Sequence, residues 1–235
     1  MNKITSALLL IGLTISAADA APSYIRRAGA QGYKVTYDYT NKEKSGWYAS
    51  VRAQLNLLNW KNIYYSDDVG RDGHDDYSFE PVFGGGVSAG KKFSHFWRAE
   101  LEVGYTGQFT DSGQGFEFNF STPYALLNAY YDFTNGLYLG AGAGAAMPLT
   151  TWNSDIFLSG NRTKAAFSPM AGLMLGYARE LDDNFVLDLR YRIAGWNGSK
   201  HTRYFTDNAM NPHYFETKID LVLENSFSVG LRYEF

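Results

Sequence analysis

Four histidines, one dense run of carboxylates and a set of arginines at alternate positions are the residues here that could carry chemistry. His74 lies in the stretch SDDVGRDGHDDY. Between Lys61 and Glu80, six carboxylates (Asp67, Asp68, Asp72, Asp75, Asp76, Glu80) stand against Lys61 and Arg71, a local charge of −4. A histidine held by a carboxylate can act as a general base on water. The same stretch half-matches a calcium loop starting at Asp68, but its third position is Gly70. Its twelfth, where an acid is required, is Phe79, with Glu80 one residue late. A solvated loop shaped by Asp and Gly is the simpler account. His95 falls in a short turn, while His201 and His213 share a long link with Ser199. No G-x-S-x-G elbow occurs. The expectation is that the chain is not an enzyme and needs no metal or cofactor.

The arginines are a different matter, because they sit inside long runs of period two. The first run places Trp47, Ala49, Val51, Ala53, Leu55 and Leu57 on one face, with Tyr48, Ser50, Arg52, Gln54 and Asn56 on the other. A 180° repeat is the strand signal, and this one outlasts an average soluble strand. The third run opposes Trp97, Ala99, Leu101, Val103, Tyr105 and Phe109 to Arg98, Glu100, Glu102, Thr106 and Gln108. The fifth opposes Leu137, Leu139, Ala141, Ala143 and Ala145 to Tyr138, Gly140, Gly142 and Gly144. In the seventh, Phe185, Leu187, Leu189, Tyr191 and Ile193 face away from Asp188, Arg190 and Arg192. The eighth sets Leu221, Leu223, Phe227, Val229, Leu231, Tyr233 and Phe235 against Glu224, Ser226, Ser228, Arg232 and Glu234. Runs two (82–93) and six (167–181) are richer in Gly. In run four, Leu127, Ala129, Tyr131 and Phe133 oppose the parity of Phe116, Phe118 and Phe120, and a bulge or bend near Pro123 would reconcile them.

Links of two lengths join these runs. Ser94–Phe96, Thr134–Gly136 and Asp182–Asn184 read as tight turns, whereas 59–81, 110–117, 148–164 and 195–217 read as longer loops. Short turns at one end and long loops at the other describe an outer-membrane barrel, and runs of about ten residues suit a tilted strand crossing a bilayer. The fold class expected is all-β: an eight-stranded antiparallel up-and-down transmembrane β-barrel over residues 46–235. A secreted β-sandwich is the competing reading. It would have to bury an outward face that carries Trp47, Trp97, Tyr131, Phe133, Phe185 and Tyr233 near the strand ends, as an interfacial girdle does.

The chain has 235 residues, no Cys, a net charge of −3 and 39 aromatic residues (16 Phe, 18 Tyr and 5 Trp). Its mean hydropathy is nevertheless only −0.29. Absence of Cys removes disulfide scaffolds and thiol chemistry, and near-neutral charge gives no basic face for nucleic acid. Lys3, the apolar core Ala7–Ile15 and Ala18-Asp19-Ala20 form a signal peptide over residues 1–20, with cleavage between Ala20 and Ala21. Residues 21–45 read as a periplasmic linker, in which Tyr33, Val35, Tyr37 and Tyr39 alternate as a possible short strand.

The ending FSVGLRYEF, with Val229, Leu231, Tyr233 and terminal Phe235 in one row, resembles the insertion signal that the barrel assembly machinery reads. Together with TYDYTNKEKSGWYASVRAQ, YLGAGAGAA and LDLRYRIAG, it makes the chain resemble the opacity-type family of small outer-membrane barrels, related to the OmpA/OmpX type. The resemblance covers residues 33–235. It implies an outer-membrane protein among lipid and lipopolysaccharide, in a family of adhesins, immune-evasion proteins and structural barrels.

An eight-stranded barrel is narrow enough for side chains to fill. Its inward positions would collect Arg52, Arg98, Arg190, Arg192 and Arg232 against Glu100, Glu102, Asp132, Asp188 and Glu234. Runs three and seven face one another across the ring, so Arg98 falls near Asp188, and Glu100 and Glu102 near Arg190 and Arg192. Gly140, Gly142 and Gly144 leave room for Arg52 and Gln54. Such a matched set predicts a plugged lumen, since buried charges persist when paired; a narrow ion channel is the alternative. Aromatic residues in the first loop (Trp60, Tyr64, Tyr65, Tyr77, Phe79) and the fourth (Trp196, Tyr204, Phe205, Tyr214, Phe215) suit a contact surface. They could equally pack on one another above the membrane. The role expected is structural or adhesive, toward a host or matrix ligand, as a monomer. A small porin comes second, and a loop-borne lipid-modifying or proteolytic enzyme third.

Overall fold

The computed structural model describes residues 46–67, 72–113, 116–154, 162–197, 200–206 and 212–235. The signal peptide, the Ala20–Ala21 junction and the linker with Tyr33–Tyr39 lie outside the described residues. So do the side chains of His74, His201 and His213. Within them the regular structure is all strand: β1 (Trp47–Asp67), β2 (Asp72–Lys92), β3 (Trp97–Gly113), β4 (Phe116–Asp132), β5 (Leu137–Ala146), β6 (Leu149–Ser154), β7 (Arg162–Ala165), β8 (Ser168–Glu180), β9 (Phe185–Asn197), β10 (Lys200–Thr206) and β11 (Pro212–Glu234).

Eleven segments make eight walls. β4 pairs with β5 and then β6 in one unbroken register (Tyr124↔Ala146, Ser121↔Leu149), so β5 and β6 are one strand interrupted at Met147-Pro148. Pro148 has no N–H to give a ladder. β8 continues as β7 in the same way (Ala146↔Ser168, Leu149↔Ala165), and β9 as β10 (Leu221↔Asn197, Lys218↔Lys200). Every neighbouring pair is antiparallel, and the pairing of β11 with β1 (Glu234↔Tyr48) closes the ring. The chain is a closed eight-stranded antiparallel barrel.

Alternation fixes which side of each wall is wet. Even-numbered residues 48–60 of β1, 118–130 of β4, 186–196 of β9 and 222–234 of β11 point inward and are buried. Odd-numbered Val51, Leu101, Val103, Leu127, Leu139, Leu173 and Val229 lie on the outer face. Rings gather at the tight-turn end of that face, where Trp97 meets Tyr131 edge-on at 5.1 Å and Phe185 meets Tyr233 at 5.1 Å. The tight turns close where the sequence places them, with the Phe93, Phe133 and Leu181 amides donating to the carbonyls of Trp97, Leu137 and Phe185, each at 2.8 Å.

Two expectations about the walls need correction. β4 is not bent at Pro123: it runs straight through, and Phe118 and Phe120 face inward. The irregularity is across the ladder, in β3. Pairing passes from Tyr105↔Pro123 to Gln108↔Ser121, leaving an extra residue at Thr106-Gly107, where Gly107 has φ of +103°. A bulge there needs a positive φ that Gly supplies without strain. It reverses the alternation beyond it: Phe109, expected on the outer face, packs inside against Trp60, and Gln108, expected inside, is exposed. Secondly, the long loops are mostly strand. β1 and β2 pair as far as Ser66↔Asp72, and β3 and β4 as far as Gly113↔Phe116.

Candidate functional site

Polar side chains inside the barrel form a ladder of ion pairs. At its centre lies Glu102, which accepts from Arg190 Nη1 and Nη2 (2.7 and 2.9 Å), Arg192 Nη1 (3.0 Å), the Tyr124 hydroxyl (2.8 Å) and Asn128 Nδ2 (3.1 Å). Arg52, from β1, forks onto Glu100 of β3 with both bonds at 3.0 Å, and the Tyr130 hydroxyl donates to the same carboxylate at 3.1 Å. Forked Arg–carboxylate pairs are the strong, directional ion pairs. Arg192 also donates through Nε (3.1 Å) and Nη2 (2.6 Å) to Glu224 of the adjacent β11. These side chains are all but fully buried.

Toward the tight-turn end, Arg98 donates through Nε to both oxygens of Asp132 at 3.0 Å. Its guanidinium lies 4.0 Å over the Tyr130 ring and 4.5 Å over Tyr138. Arg98 thus reaches Asp188 through Tyr138, whose hydroxyl donates to that carboxylate at 2.5 Å. Arg232 stands 3.1 Å from Glu234 and 3.8 Å from Asp188, and Lys92 2.5 Å from Glu234. The ten charges picked out in the sequence therefore meet in one interior. Glu224 and Lys92 join them. Glu224 has the inward parity of the eighth run, the one signal that could have added it to the five-against-five count.

The glycines of β5 do not make room for Arg52 and Gln54. A side chain on Gly140 would meet Tyr130, and one on Gly142 would meet Asn128 and Met174. The space is filled from the neighbouring walls, β4 and β8. Four tyrosines share this arrangement, each directly opposite a glycine: Tyr48↔Gly90, Tyr124↔Gly104, Tyr130↔Gly140 and Tyr138↔Gly176.

Above the ionic ladder the interior turns apolar, which the polar-lumen expectation misses. Trp60 packs edge-on against Phe109 (4.6 Å) and Phe120 (5.1 Å), among Leu58, Val82, Phe118, Met170, Trp196 and Val222. Trp60 and Trp196 are 1% exposed, so neither belongs to a contact surface. Their strands continue beyond the aromatic layer, which encloses rings placed in loops by sequence reading. Phe79, 64% exposed, and Tyr214 do reach solvent. His95 is exposed in its turn. Among the described residues no group of three His, Asp or Glu is placed to hold a metal ion. At the C-terminus, Val229, Leu231, Tyr233 and Phe235 stand in one row on the outer face, and the Phe235 amide donates to the Trp47 carbonyl at 3.0 Å.

No family model and no curated sequence matches the chain. Among solved structures it is similar to Neisserial surface protein A, at 16% identity and a TM-score of 0.45, covering 81% of this chain and 98% of that one. It is similar to Ail, the attachment invasion locus protein of Yersinia pestis, at 13% identity and a TM-score of 0.45, covering 80% and 98%. The outer membrane protease OmpT from Escherichia coli matches at 11% identity and a TM-score of 0.46, covering 82% and 98%. By its own register and burial, the chain is an eight-stranded antiparallel β-barrel with an apolar outer wall, an ion-paired interior and an aromatic layer beneath its long ribbons.

Proposed function

We propose that this chain is an exported outer-membrane barrel whose lumen is plugged by its own side chains and whose long ribbons make contacts at the cell surface. The observation that carries the plug is the pair of forks Arg52–Glu100 and Arg190–Glu102, which join β1 to β3 and β3 to β9 across the interior with almost no exposure. An apolar outer face with ring pairs at the tight-turn end supports a bilayer as its solvent. The signal peptide supports export, and the Val229–Phe235 row supports hand-over to the barrel assembly machinery. Exposed Phe79 and Tyr214 on the ribbons supply the kind of ring that protein or glycan ligands of a host or matrix surface bind.

Planar-bilayer recording of the purified, refolded chain tests the plug: silence is expected, and steady unitary conductance would make it a pore. Shortening the β1–β2 and β10–β11 ribbons while keeping the barrel tests the surface role. Unchanged binding to host cells and matrix would end the adhesive reading.

A further inference from the structure

The barrel wall parts at two places, and these lie opposite one another. β2 and β3 pair from Lys92↔Arg98 only as far as Gly85↔Tyr105. Gly107 still abuts Phe83 and Val82; past them β2 continues to Asp72 on β1 alone, and β3 to Gly113 on β4 alone, in the pairing of the described strands. β8 and β9 pair from Glu180↔Val186 as far as Met170↔Trp196, and from there β7 follows β6 while β10 follows β11. Around the ring, four walls separate the two partings in either direction. The upper barrel is therefore two leaves: β3-β4-β6-β7 on one side, and β2-β1-β11-β10 on the other. Each leaf ends in strands whose ladder, among the described residues, runs along one side alone, the arrangement of a sheet edge.

The two partings carry opposite charge. The parted lengths of β2 (72–81) and β3 (108–113) hold Asp72, Asp75, Asp76, Glu80 and Asp111, with no Lys or Arg. β7 and β10 hold Arg162, Lys164, Lys200 and Arg203, with no Asp or Glu. Lys200 also touches Glu216 within its own leaf at 2.8 Å, yet keeps 60% exposure. Strand direction fits as well. From the tight-turn end, β3 and β10 run outward while β2 and β7 run inward. If a second copy stands beside the first in the same membrane, related by translation, β3 of one faces β7 of the next, and β2 faces β10. Both contacts are antiparallel, and both set acid against base.

We propose that copies of this chain associate head to tail through these open edges, as rows in the membrane plane. The proposal rests on the outer-membrane reading above, which gives every copy the same orientation. Because the two edges lie on opposite sides, the contact is heterologous and does not close, so it propagates. Each barrel remains a complete fold. The added ladder joins leaves above the bilayer by strand addition.

A chain without Cys makes the test clean. Ser112→Cys in β3 combined with Thr163→Cys in β7 is expressed in cells, and intact outer membranes are treated with a short bis-maleimide. The expected result is a ladder of dimer, trimer and higher species for the double variant, and monomer for each single variant. Lys164→Glu added to the double variant should thin the ladder several-fold, as should high salt. Heat-modifiable migration on a gel reports folding; if it is lost, Thr110→Cys with Ala165→Cys replaces the pair. Folded protein in the outer membrane that gives monomer alone, or a dimer that never extends, or a ladder indifferent to Lys164→Glu, overturns the row. Recovery of the chain outside the outer-membrane fraction overturns the location reading, and the row with it.

Discussion

Tyr138 sits directly across the β5–β8 ladder from Gly176, and its ring occupies the volume that any side chain at Gly176 would need. The tyrosine is held there for a reason: its hydroxyl donates to Asp188 while its face carries Arg98. Interior space in this barrel is thus allotted in pairs of neighbouring walls.

Gly176→Ala should push the Tyr138 ring off Asp188 and destabilise the barrel by about 1–3 kcal/mol, the usual cost of overpacking. Denaturant unfolding in lipid vesicles measures it. Tyr138→Phe, which keeps the ring and removes only the donor, separates packing from the hydrogen bond. An equal loss from both variants would assign the whole effect to the hydroxyl.

Glu102→Ala should cost about 3–5 kcal/mol, because Arg190 would lose its forked partner in a buried interior and Arg192 would keep only Glu224 as an anionic partner. Replacing Glu102 and Arg190 together by Met and Leu should recover most of that loss. The comparison of single and double variants by unfolding midpoint is the check, and additive losses would contradict the coupling.

Trp60→Ala removes the ring that ties Phe109 and Phe120 of one leaf to β1 of the other. A loss of about 3–5 kcal/mol is expected for a buried Trp. It should fall on the ribbons first, seen as faster proteolytic clipping within the β1–β2 and β3–β4 hairpins while heat-modifiable migration persists.

Removing Phe235 should slow assembly more than it harms the finished barrel. In vesicles containing the barrel assembly machinery, a several-fold lower insertion rate is expected. Chain refolded without the machinery should unfold at nearly the same denaturant concentration, since Phe235 is exposed and its ring contact is to Tyr233. Equal insertion rates would remove the signal role.

Parity was the legible part. Alternation in β1, in β3 up to its bulge, in β9 and in β11 assigns those walls their inner faces, and so names the charged residues of the interior from Arg52 to Glu234. A repeat of two cannot say where along a wall the pairing stops. Alternation therefore leaves Trp60 and Trp196 in loops, although the strands bearing them continue past them and close a dry layer. Run four misleads for a related reason: its change from Phe118 and Phe120 to Leu127 is a change of interior from apolar to polar, on a strand of constant parity. The bulge at Thr106-Gly107 lies on the partner strand, where the sequence shows only a Gly in an otherwise regular run. Nor does one strand reveal that a glycine is space for a ring on the next.

The ion-pair ladder also bears on the order in which the barrel can be made. Its anions Glu100 and Glu102 enter on β3, whereas Arg190 and Arg192 arrive only with β9, after five intervening strand segments. Arg52 of β1 is already at hand for Glu100, but until β9 arrives Glu102 would turn a carboxylate without its forked partner toward whatever fills the concave side of the sheet. A half-built sheet with such a face is unfit to rest in lipid. On the outer-membrane reading, Glu102 is matched only when β9 arrives, one wall before β11 closes the ring, so a half-built sheet has no comfortable resting place between an unfolded chain and a sealed cylinder.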